Sequence, residues 1–365
     1  MPLLKEIAEN ISNNQLIAGV IEEIITEESL YWMLPFVQVN GKAYVYNREV
    51  RLADSEFLGI NQEVPEDDSE FKSVTTHLKI LIGDVDVDKF VDTTMSDTNN
   101  QKAIQLAMKA KGMGRRFKDA LINGKTKRTN PNTGADIAAD LKEEFEGVRK
   151  IWKSGLADAS YTHPGEDPNG VPDKDGDDPT FNGWQKHWVT QVIHMDGSSP
   201  LTGNAPVEDD ALSAEAITFE KLDELLDAIP GDADFLMMRK DTYRAYKALL
   251  RTTGATTPEM MMIRNFGQVP QHDGTPIIIN DYLPTLTDAD GNKYTEIYAL
   301  RTNEVDGLHG LYGGSNAGIV VEDIGTVQNK DATRTRLKWY AGLALKSTKS
   351  MAVLRGVLTK KVATP

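Results

Sequence analysis

The chain has 365 residues, of which 40% are hydrophobic and 26% charged, and its net charge is −15; this is typical of one large or two medium globular domains. Because it contains no cysteine, disulfides, a thiolate nucleophile and cysteine-ligated metals are excluded. The acidic balance disfavours general nucleic-acid binding, and no window approaches the ~18 consecutive apolar residues of a membrane span, so no membrane partner is expected.

The N-terminal quarter of the chain predicts a helix followed by a long β-hairpin. Apolar residues recur at helical spacing over 14–28. From residue 34 onward Tyr44 and Tyr46 alternate with other side chains, and Asn40-Gly41 is a strong turn signal. A return arm follows at about 73–82. Such a hairpin has little of its own to bury, so we expect it to be buried against another molecule.

The middle of the chain predicts a long helix over 97–122, with Asn123-Gly124 as a left-handed stop at its C-terminus. A short helix is expected over 145–152. Residues 155–183 are acidic and rich in Gly and Pro, as in an inserted surface loop. The remaining elements alternate between helix and strand: helices at 218–230 and 241–254, strands at 234–239 and 276–284, a hairpin across 288–292, and strands from 317 to 358.

Charge is unevenly distributed along the chain. Residues 94–128 contain nine Lys or Arg against two Asp, and residues 328–365 contain nine against one. Residues 54–70 contain seven acids and no base. Runs of like charge usually form faces that are exposed to solvent. The more specific hypothesis is that acidic and basic segments meet across a contact between subunits.

The sequence contains no complete catalytic, cofactor-binding or metal-binding motif, and we expect the protein not to be an enzyme. Gly124-Lys125-Thr126 lacks the earlier glycine of a phosphate-binding loop, because that position is Asp119. The acidic stretch 173–178 has Asp178 in place of the glycine of a calcium loop. Residues 288–292 fail the same test and are better explained as a hairpin turn. The six histidines show no metal-ligand spacing.

Several ordered segments resemble the major capsid proteins of tailed phages. They are LPFVQVNGKAYVYNRE, ILIGDVDVDKF, the long helix ending in DALING, FEGVRKI, the run TFEKLDELLDAIPGDADFLMMRKDTYRAYKALLRTTG, PIIINDYLP and RTRLKWYAGLALKSTKSMAVLRGV. Each is weakly specific alone, whereas their order and spacing over nearly the whole chain are more so.

The resemblance implies an α+β chain with the Hong Kong 97 type of shell fold. Its parts would be an N-terminal arm, an extended β-hairpin loop, a peripheral domain containing the long spine helix and the acidic insertion, an axial domain, and C-terminal strands that return to the peripheral domain. These correspond to 1–33, 34–90, 91–214 (with the helix at 97–122 and the insertion at 155–183), 215–325 and 326–365.

The function implied by the resemblance is a major capsid protein that self-assembles, as hexamers and pentamers, into the icosahedral head of a double-stranded DNA bacteriophage. The expected location is the virion, after assembly in the bacterial cytoplasm, with packaged DNA inside and a portal, a separate scaffolding protein and a decoration protein as further partners. The acidic total predicts weak binding of that DNA. No Lys72–Asn329 crosslink is expected. The alternatives are an encapsulin-like compartment shell, and a two-domain ligand-binding protein or enzyme.

The candidate residues for subunit contacts follow from the charge distribution. We expect the acidic segment of the hairpin loop to meet basic side chains of a neighbouring copy, from the long helix or the C-terminal region. The acids are Asp54, Glu56, Glu63, Glu66, Asp67, Asp68 and Glu70, and the bases are Arg115, Arg116, Lys118, Lys330, Arg334 and Arg336.

Overall fold

The computed structural model describes residues 30, 33–51, 57–58, 70–90, 101–125, 143–159, 190–202, 205–206, 212–252, 254, 260–263, 267–288, 290–314 and 318–360. The predicted helix at 14–28 and most of the insertion at 155–183 lie outside these residues. All statements below refer to the described part of the chain.

Four α-helices lie in the described part of the chain: α1 Gln101–Asn123, α2 Val148–Ala159, α3 Phe219–Asp227 and α4 Lys240–Thr252. They confirm the predicted helices to within a few residues, and α2 extends further than expected, to residue 159. Thr218 caps α3, since its hydroxyl accepts from the backbone N–H of Lys221 at 3.3 Å.

The strands are β1 Phe36–Val39, β2 Ala43–Arg51, β3 Glu70–His77, β4 Lys79–Asp88, β5 Val192–His194, β6 Leu201–Thr202, β7 Ala205–Pro206, β8 Phe235–Met238, β9 Met260–Ile263, β10 Gly267–His272, β11 Thr275–Ile279, β12 Leu286–Thr287, β13 Lys293–Leu300, β14 Leu308–Gly313, β15 Val320–Thr326, β16 Ala332–Leu345 and β17 Met351–Lys360. The short β12 pairs antiparallel with β13, so the hairpin predicted across 288–292 is confirmed.

A five-stranded sheet is built around the long strand β16. Its order is β1-β14-β16-β15, and β4 pairs antiparallel with the N-terminal part of β16. One face of the sheet packs on α1, where the ring of Trp339 stacks on Phe117 with centroids 4.0 Å apart. Val85 and Val87 of β4 are buried on this same face, whereas Asp84 and Asp86, which alternate with them, lie on the other. The alternation therefore gives this sheet a core face and an outward face.

An eight-stranded sheet forms the second layer, in the order β5-β17-β13-β8-β11-β10-β9 with β12 paired to β13. All four residues of β8 are buried. Phe235 and Met237 belong to the core shared with α1 and α2, whereas Leu236 and Met238 pack on α3 and α4. A sheet covered on both faces explains why its strands read as continuous apolar runs instead of alternating ones.

The two-stranded hairpin consists of β2 and β3 alone, paired antiparallel from Ala43 opposite His77. Strands β1 and β4 also lie within the predicted loop 34–90, but they pair with β14 and β16 of the five-stranded sheet. The hairpin is thus held on both sides by strands of the body. Strand β16 lies in the five-stranded sheet and β17 in the eight-stranded one.

The end of α1 differs from the expectation. Gly124 was predicted to stop the helix in a left-handed conformation, yet it is not among the glycines with positive φ. Its role is close packing: a Cβ on Gly124 would lie 2.4 Å from the backbone oxygens of Ala120 and Phe145, and a Cβ on Gly147 would lie 2.5 Å from the Gly124 nitrogen. Two glycines therefore allow two backbone segments to touch.

Candidate assembly surfaces

The outward face of β16 carries basic side chains that pair with acids on β4. The guanidinium of Arg336 donates to both carboxylate oxygens of Asp84, at 2.7 and 2.8 Å. Arg334 donates to both oxygens of Asp86, at 2.6 and 2.7 Å. The strand register places each pair directly opposite. These charge-assisted bonds lower the pKa of both carboxyls below the usual range.

Further ion pairs extend this charge ladder to the neighbouring elements. Lys338 donates to Glu322 of β15. The ammonium of Lys102 on α1 lies 3.1 Å from Asp323, and that bond is the main reason for the lowered pKa of Asp323. Three basic residues of the C-terminal region, Arg334, Arg336 and Lys338, are therefore paired with acids of the same chain.

Within the single chain, Arg334 and Arg336 are already paired with carboxylates of β4. Their contact with the acidic segment of a neighbour stays a prediction. Of the predicted acids, Asp54, Glu56, Glu63, Glu66, Asp67 and Asp68 lie outside the described residues, and Glu70 begins β3. Lys330 is exposed in the turn before β16.

The sequence contains a pattern that predicts the pairing of β4 acids with β16 bases. Acids alternate at Asp84, Asp86 and Asp88, and bases alternate at Arg334, Arg336 and Lys338. Because side chains of one strand face alternate in steps of two, two such rows of opposite charge predict cross-strand pairing.

The basic side chains of α1 separate into different environments. Arg115 is exposed. Arg116 bonds Glu144, and Asp119 at 3.3 Å. Only 5% of Lys118 is accessible, so this side chain is largely buried within its own chain. Of these three, only Arg115 and Arg116 present charge to the surface.

The inner face of the hairpin is anchored to the body. The Tyr46 hydroxyl donates to the Leu345 carbonyl at 2.7 Å, and Arg48 donates to the carbonyls of Leu345 and Lys346 at 2.7 and 2.9 Å. Tyr44 packs edge-on against the buried His309, with ring centroids 5.7 Å apart. The base of the hairpin is consequently fixed in direction, although its strands belong to neither large sheet.

The outer face of the hairpin leaves large apolar side chains in solvent. Val45 is 59% exposed and Phe71 is 64% exposed. Phe57, between the two strands, is fully exposed, and Ile80 and Ile82 are exposed on the outward face of β4. These exposed apolar side chains make the outer face of the hairpin and the outward face of β4 a candidate interaction surface.

A buried ionic cluster joins α2 to the eight-stranded sheet. Glu296 on β13 is fully buried; its carboxylate accepts from Arg149 at 3.0 Å and from the Tyr298 hydroxyl at 2.5 Å. Trp152 of α2 donates to the same hydroxyl at 3.1 Å. The guanidinium of Arg355 lies 3.8 Å from Glu296. Burial, with the adjacent carboxylate, raises the pKa of Tyr298 well above its ordinary value, so the phenol remains a donor.

A chain of hydrogen bonds leads from Arg355 to the edge of the sheet. Arg355 lies 3.4 Å from Nε2 of His194, whose Nδ1 lies 2.9 Å from the Ser198 hydroxyl. That hydroxyl donates to Asp196 at 2.6 Å. Burial and the neighbouring guanidinium lower the pKa of His194 to about 4. The imidazole is therefore neutral at pH 7 and accepts from Arg355 through Nε2.

The described residues contain no group of three or more metal-binding side chains. In the turn after β12, Asp288 accepts from the backbone N–H groups of Asn292 and Ala214, at 2.7 and 3.2 Å, and so serves as a turn residue. The acidic stretch 173–178 lies outside the described residues. A small open cleft between β4, α1 and residues 143–145 has a lining that includes Phe117 and Phe145.

No helix in the described part of the chain is both long and apolar enough to cross a membrane. No protein-family model matches the sequence, and no curated protein sequence matches it.

Solved structures do match the fold. The chain is similar to the holo-SrpI encapsulin complex of Synechococcus elongatus PCC 7942, with a TM-score of 0.56 and 18% identity over 93% of this chain and 91% of that one. The capsid of a native GTA particle matches with a TM-score of 0.57 and 12% identity, covering 90% of each chain. The capsid of Cyanophage A-1(L) matches with a TM-score of 0.52 and 12% identity over 90% of this chain and 92% of that one.

The class defined by this architecture is the shell fold that phage capsids and encapsulins share. More particularly, the chain has the Hong Kong 97-like fold, as the resemblance in the sequence predicted.

Proposed function

We propose that this protein is the subunit of a closed, self-assembling shell and has a structural, non-enzymatic role. The observation that carries the proposal is the hairpin: its base is bonded to the body, while Val45 and Phe71 on its outer face are exposed in the isolated chain. The fold, which is shared with shell-forming proteins over nine-tenths of the chain, supports the same conclusion.

In the proposed assembly, the outer face of each hairpin is buried on an adjacent copy. Burial of apolar surface contributes roughly 25 cal/mol per Å², so a few side chains repeated at every subunit stabilise a shell. The proposed apolar contact is made by residues that the structure describes. Most acids of the proposed charge contact lie outside those residues.

The acidic segment from Asp54 to Glu70 remains a proposed contact to basic surface of a neighbour. Arg115 and Lys330 are the exposed bases that fit this role, since Arg334, Arg336 and Lys118 are engaged or buried within their own chain. Replacing Glu66, Asp67 and Asp68 by lysine should impair assembly most at low salt; unchanged assembly at low salt would refute the charge contact alone and leave the apolar one standing.

For the contents of the shell, the first candidate function is the head of a double-stranded DNA phage, filled through a portal. It is supported by the similarity to the Cyanophage A-1(L) capsid and by the capsid-like order of motifs along the chain. The second is a protein compartment, supported by the similarity to the SrpI encapsulin. The two candidates have comparable support from the fold.

The experiment that tests the proposal is negative-stain electron microscopy of the protein expressed alone and purified by size. Closed particles are expected. Copies purified from their native host should then be assayed for nuclease-protected DNA and for enclosed protein. Protected DNA selects the phage head and enclosed protein selects the compartment. A monomer without particles at any concentration would overturn both.

A further inference from the structure

We propose that Asn40 is a site of spontaneous deamidation, at the joint between the body and the hairpin. Asn40 is followed by Gly41, and both are exposed in the short turn between β1 and β2. Within the described chain, no hydrogen bond involves the Asn40 amide or the Gly41 N–H. A Cβ built on Gly41 meets nothing within 4 Å, so the space beside the Gly41 α-carbon is open.

The reaction needs only the chain and water. The Gly41 backbone nitrogen loses its proton and attacks Cγ of Asn40. A bond forms between that nitrogen and Cγ, and the bond from Cγ to Nδ2 breaks, so that the side-chain nitrogen leaves as ammonia with the transferred proton. Water then opens the succinimide ring. Attack at Cγ gives aspartate, and attack at the Asn40 backbone carbonyl gives isoaspartate.

Glycine at the second position is the structural requirement. Gly41 has φ +131°, a conformation that side-chain-bearing residues rarely adopt. The absent side chain also leaves the backbone nitrogen unshielded. The turn therefore requires glycine at position 41, and glycine at that position makes Asn40 reactive.

The same dipeptide at the end of α1 provides an internal control. The Asn123 amide donates to Asp119 at 3.0 Å and to the Tyr282 carbonyl at 2.9 Å. The Gly124 N–H donates to the Ala120 carbonyl at 2.9 Å, and Gly124 is buried. The helix end must open before this pair can react, so of the Asn-Gly pairs in the described part of the chain, the fold protects the one at 123–124 and exposes the one at 40–41.

The product would alter the point at which the hairpin leaves the body. Strand β1 is paired to β14, and β2 begins the hairpin. Aspartate adds a negative charge in that turn, and isoaspartate lengthens the main chain by one methylene. Either change falls on the connection that sets the direction of the hairpin.

The test is to incubate the purified full-length protein in mildly alkaline buffer made with ¹⁸O-water and to follow peptides by mass spectrometry. The Asn40 peptide should convert from amide to labelled acid at least about tenfold faster than the Asn123 peptide, because three hydrogen bonds hold the latter. An isoaspartate fraction should appear at position 40. The variant Asn40→Gln should lose the signal while Asn123 is unaffected.

Equal rates at Asn40 and Asn123 would overturn the proposal. It would also fail if Asn40 in the folded protein stayed intact while a synthetic peptide spanning 36–45 converted under the same conditions. Unlabelled acid would contradict the ring-opening step. None of these outcomes depends on whether the protein forms a shell.

Discussion

At the scale of single residues, the most consequential group is the buried carboxylate of Glu296. Two arginines and a tyrosine hydroxyl surround it, and they come from α2, β13 and β17. A buried charge of this kind is tolerated only when it is paired and hydrogen-bonded. The cluster therefore makes the docking of α2 on the eight-stranded sheet depend on the hydrogen bonds of one buried side chain.

We predict that Glu296→Gln lowers the free energy of unfolding by roughly 3–5 kcal/mol, because the change leaves buried guanidinium charge without its counter-ion. Urea denaturation of the subunit measures this. The matched control is Glu224→Gln on α3, where the partly exposed carboxylate pairs with Lys221 and where the expected change is about 0.5 kcal/mol or less. Similar losses in the two variants would contradict the assignment of the cluster.

His194 predicts a loss of stability in mild acid. Its pKa in the folded chain is about 4, whereas that of an unfolded histidine is about 6.5. As the pH falls, the unfolded chain therefore binds the proton first, and stability declines between about pH 6.5 and pH 4 by about 3 kcal/mol from this group. Below pH 4 the loss is complete.

Urea unfolding of the wild type and of His194→Gln across this pH range tests the prediction. The variant should show a flatter dependence on pH, whatever its stability at pH 8. The buried His309, whose pKa is also lowered by burial, is present in both proteins. Its contribution therefore cancels when the two pH dependences are compared. Parallel curves would show that His194 does not resist protonation in the folded state.

At the scale of elements, the contact between the end of α1 and residues 145–147 depends on glycine. We predict that Gly124→Ala lowers the free energy of unfolding by about 1–3 kcal/mol or more, since its Cβ would press on two backbone oxygens. Gly112→Ala is the control on the same helix. Nothing lies within 4 Å of a Cβ at that position, so this change should stabilise the protein by about 0.5–1 kcal/mol.

The two glycine variants are compared by urea denaturation under identical conditions. The two changes in the free energy of unfolding should have opposite signs. A general intolerance of α1 to substitution would instead destabilise both variants. If Gly124→Ala were neutral or stabilising, the close approach of the two backbones would be refuted.

The hairpin makes a different prediction, which concerns assembly and not folding. Phe71→Ala removes apolar surface that the isolated chain leaves exposed. It should leave subunit stability nearly unchanged but raise the concentration needed for particle formation by about tenfold, since a buried Phe contributes about 1.5–3 kcal/mol. Ser73→Ala, on the same face of β3, should assemble as the wild type does. Light scattering against concentration measures both; equal behaviour of the two variants would exclude the outer face as a contact.

Local patterns predicted the elements well because each has a local cause. The segment 218–230 was predicted to be helical and contains α3, and alternation indicated the hairpin strands. The end of α1 was misjudged because Gly124 is required by contact with Phe145 and Gly147, which are distant in sequence. The Asp84–Arg336 pair has a sequence separation of 252, and it could be predicted only by comparing the spacing of charges on two strands.

At the scale of the whole molecule, the order of motifs predicted the fold, but the pairing of strands that are distant in sequence was not predicted. Strands β16 and β17 are joined by a short connection, yet they lie in different sheets. Periodicity specifies which face of a strand is buried and not which strand lies beside it. The cluster around Glu296 was missed for the same reason: its members are separated along the chain and carry no motif.

The central claim is that the outer face of the hairpin is buried on a neighbouring copy in a closed shell. A cryo-electron microscopy reconstruction of assembled particles tests it most directly. We expect an icosahedral particle in which Val45 and Phe71 of each copy lie against an adjacent subunit. Particles in which this face is exposed to solvent, or protein that forms no closed particle, would contradict it.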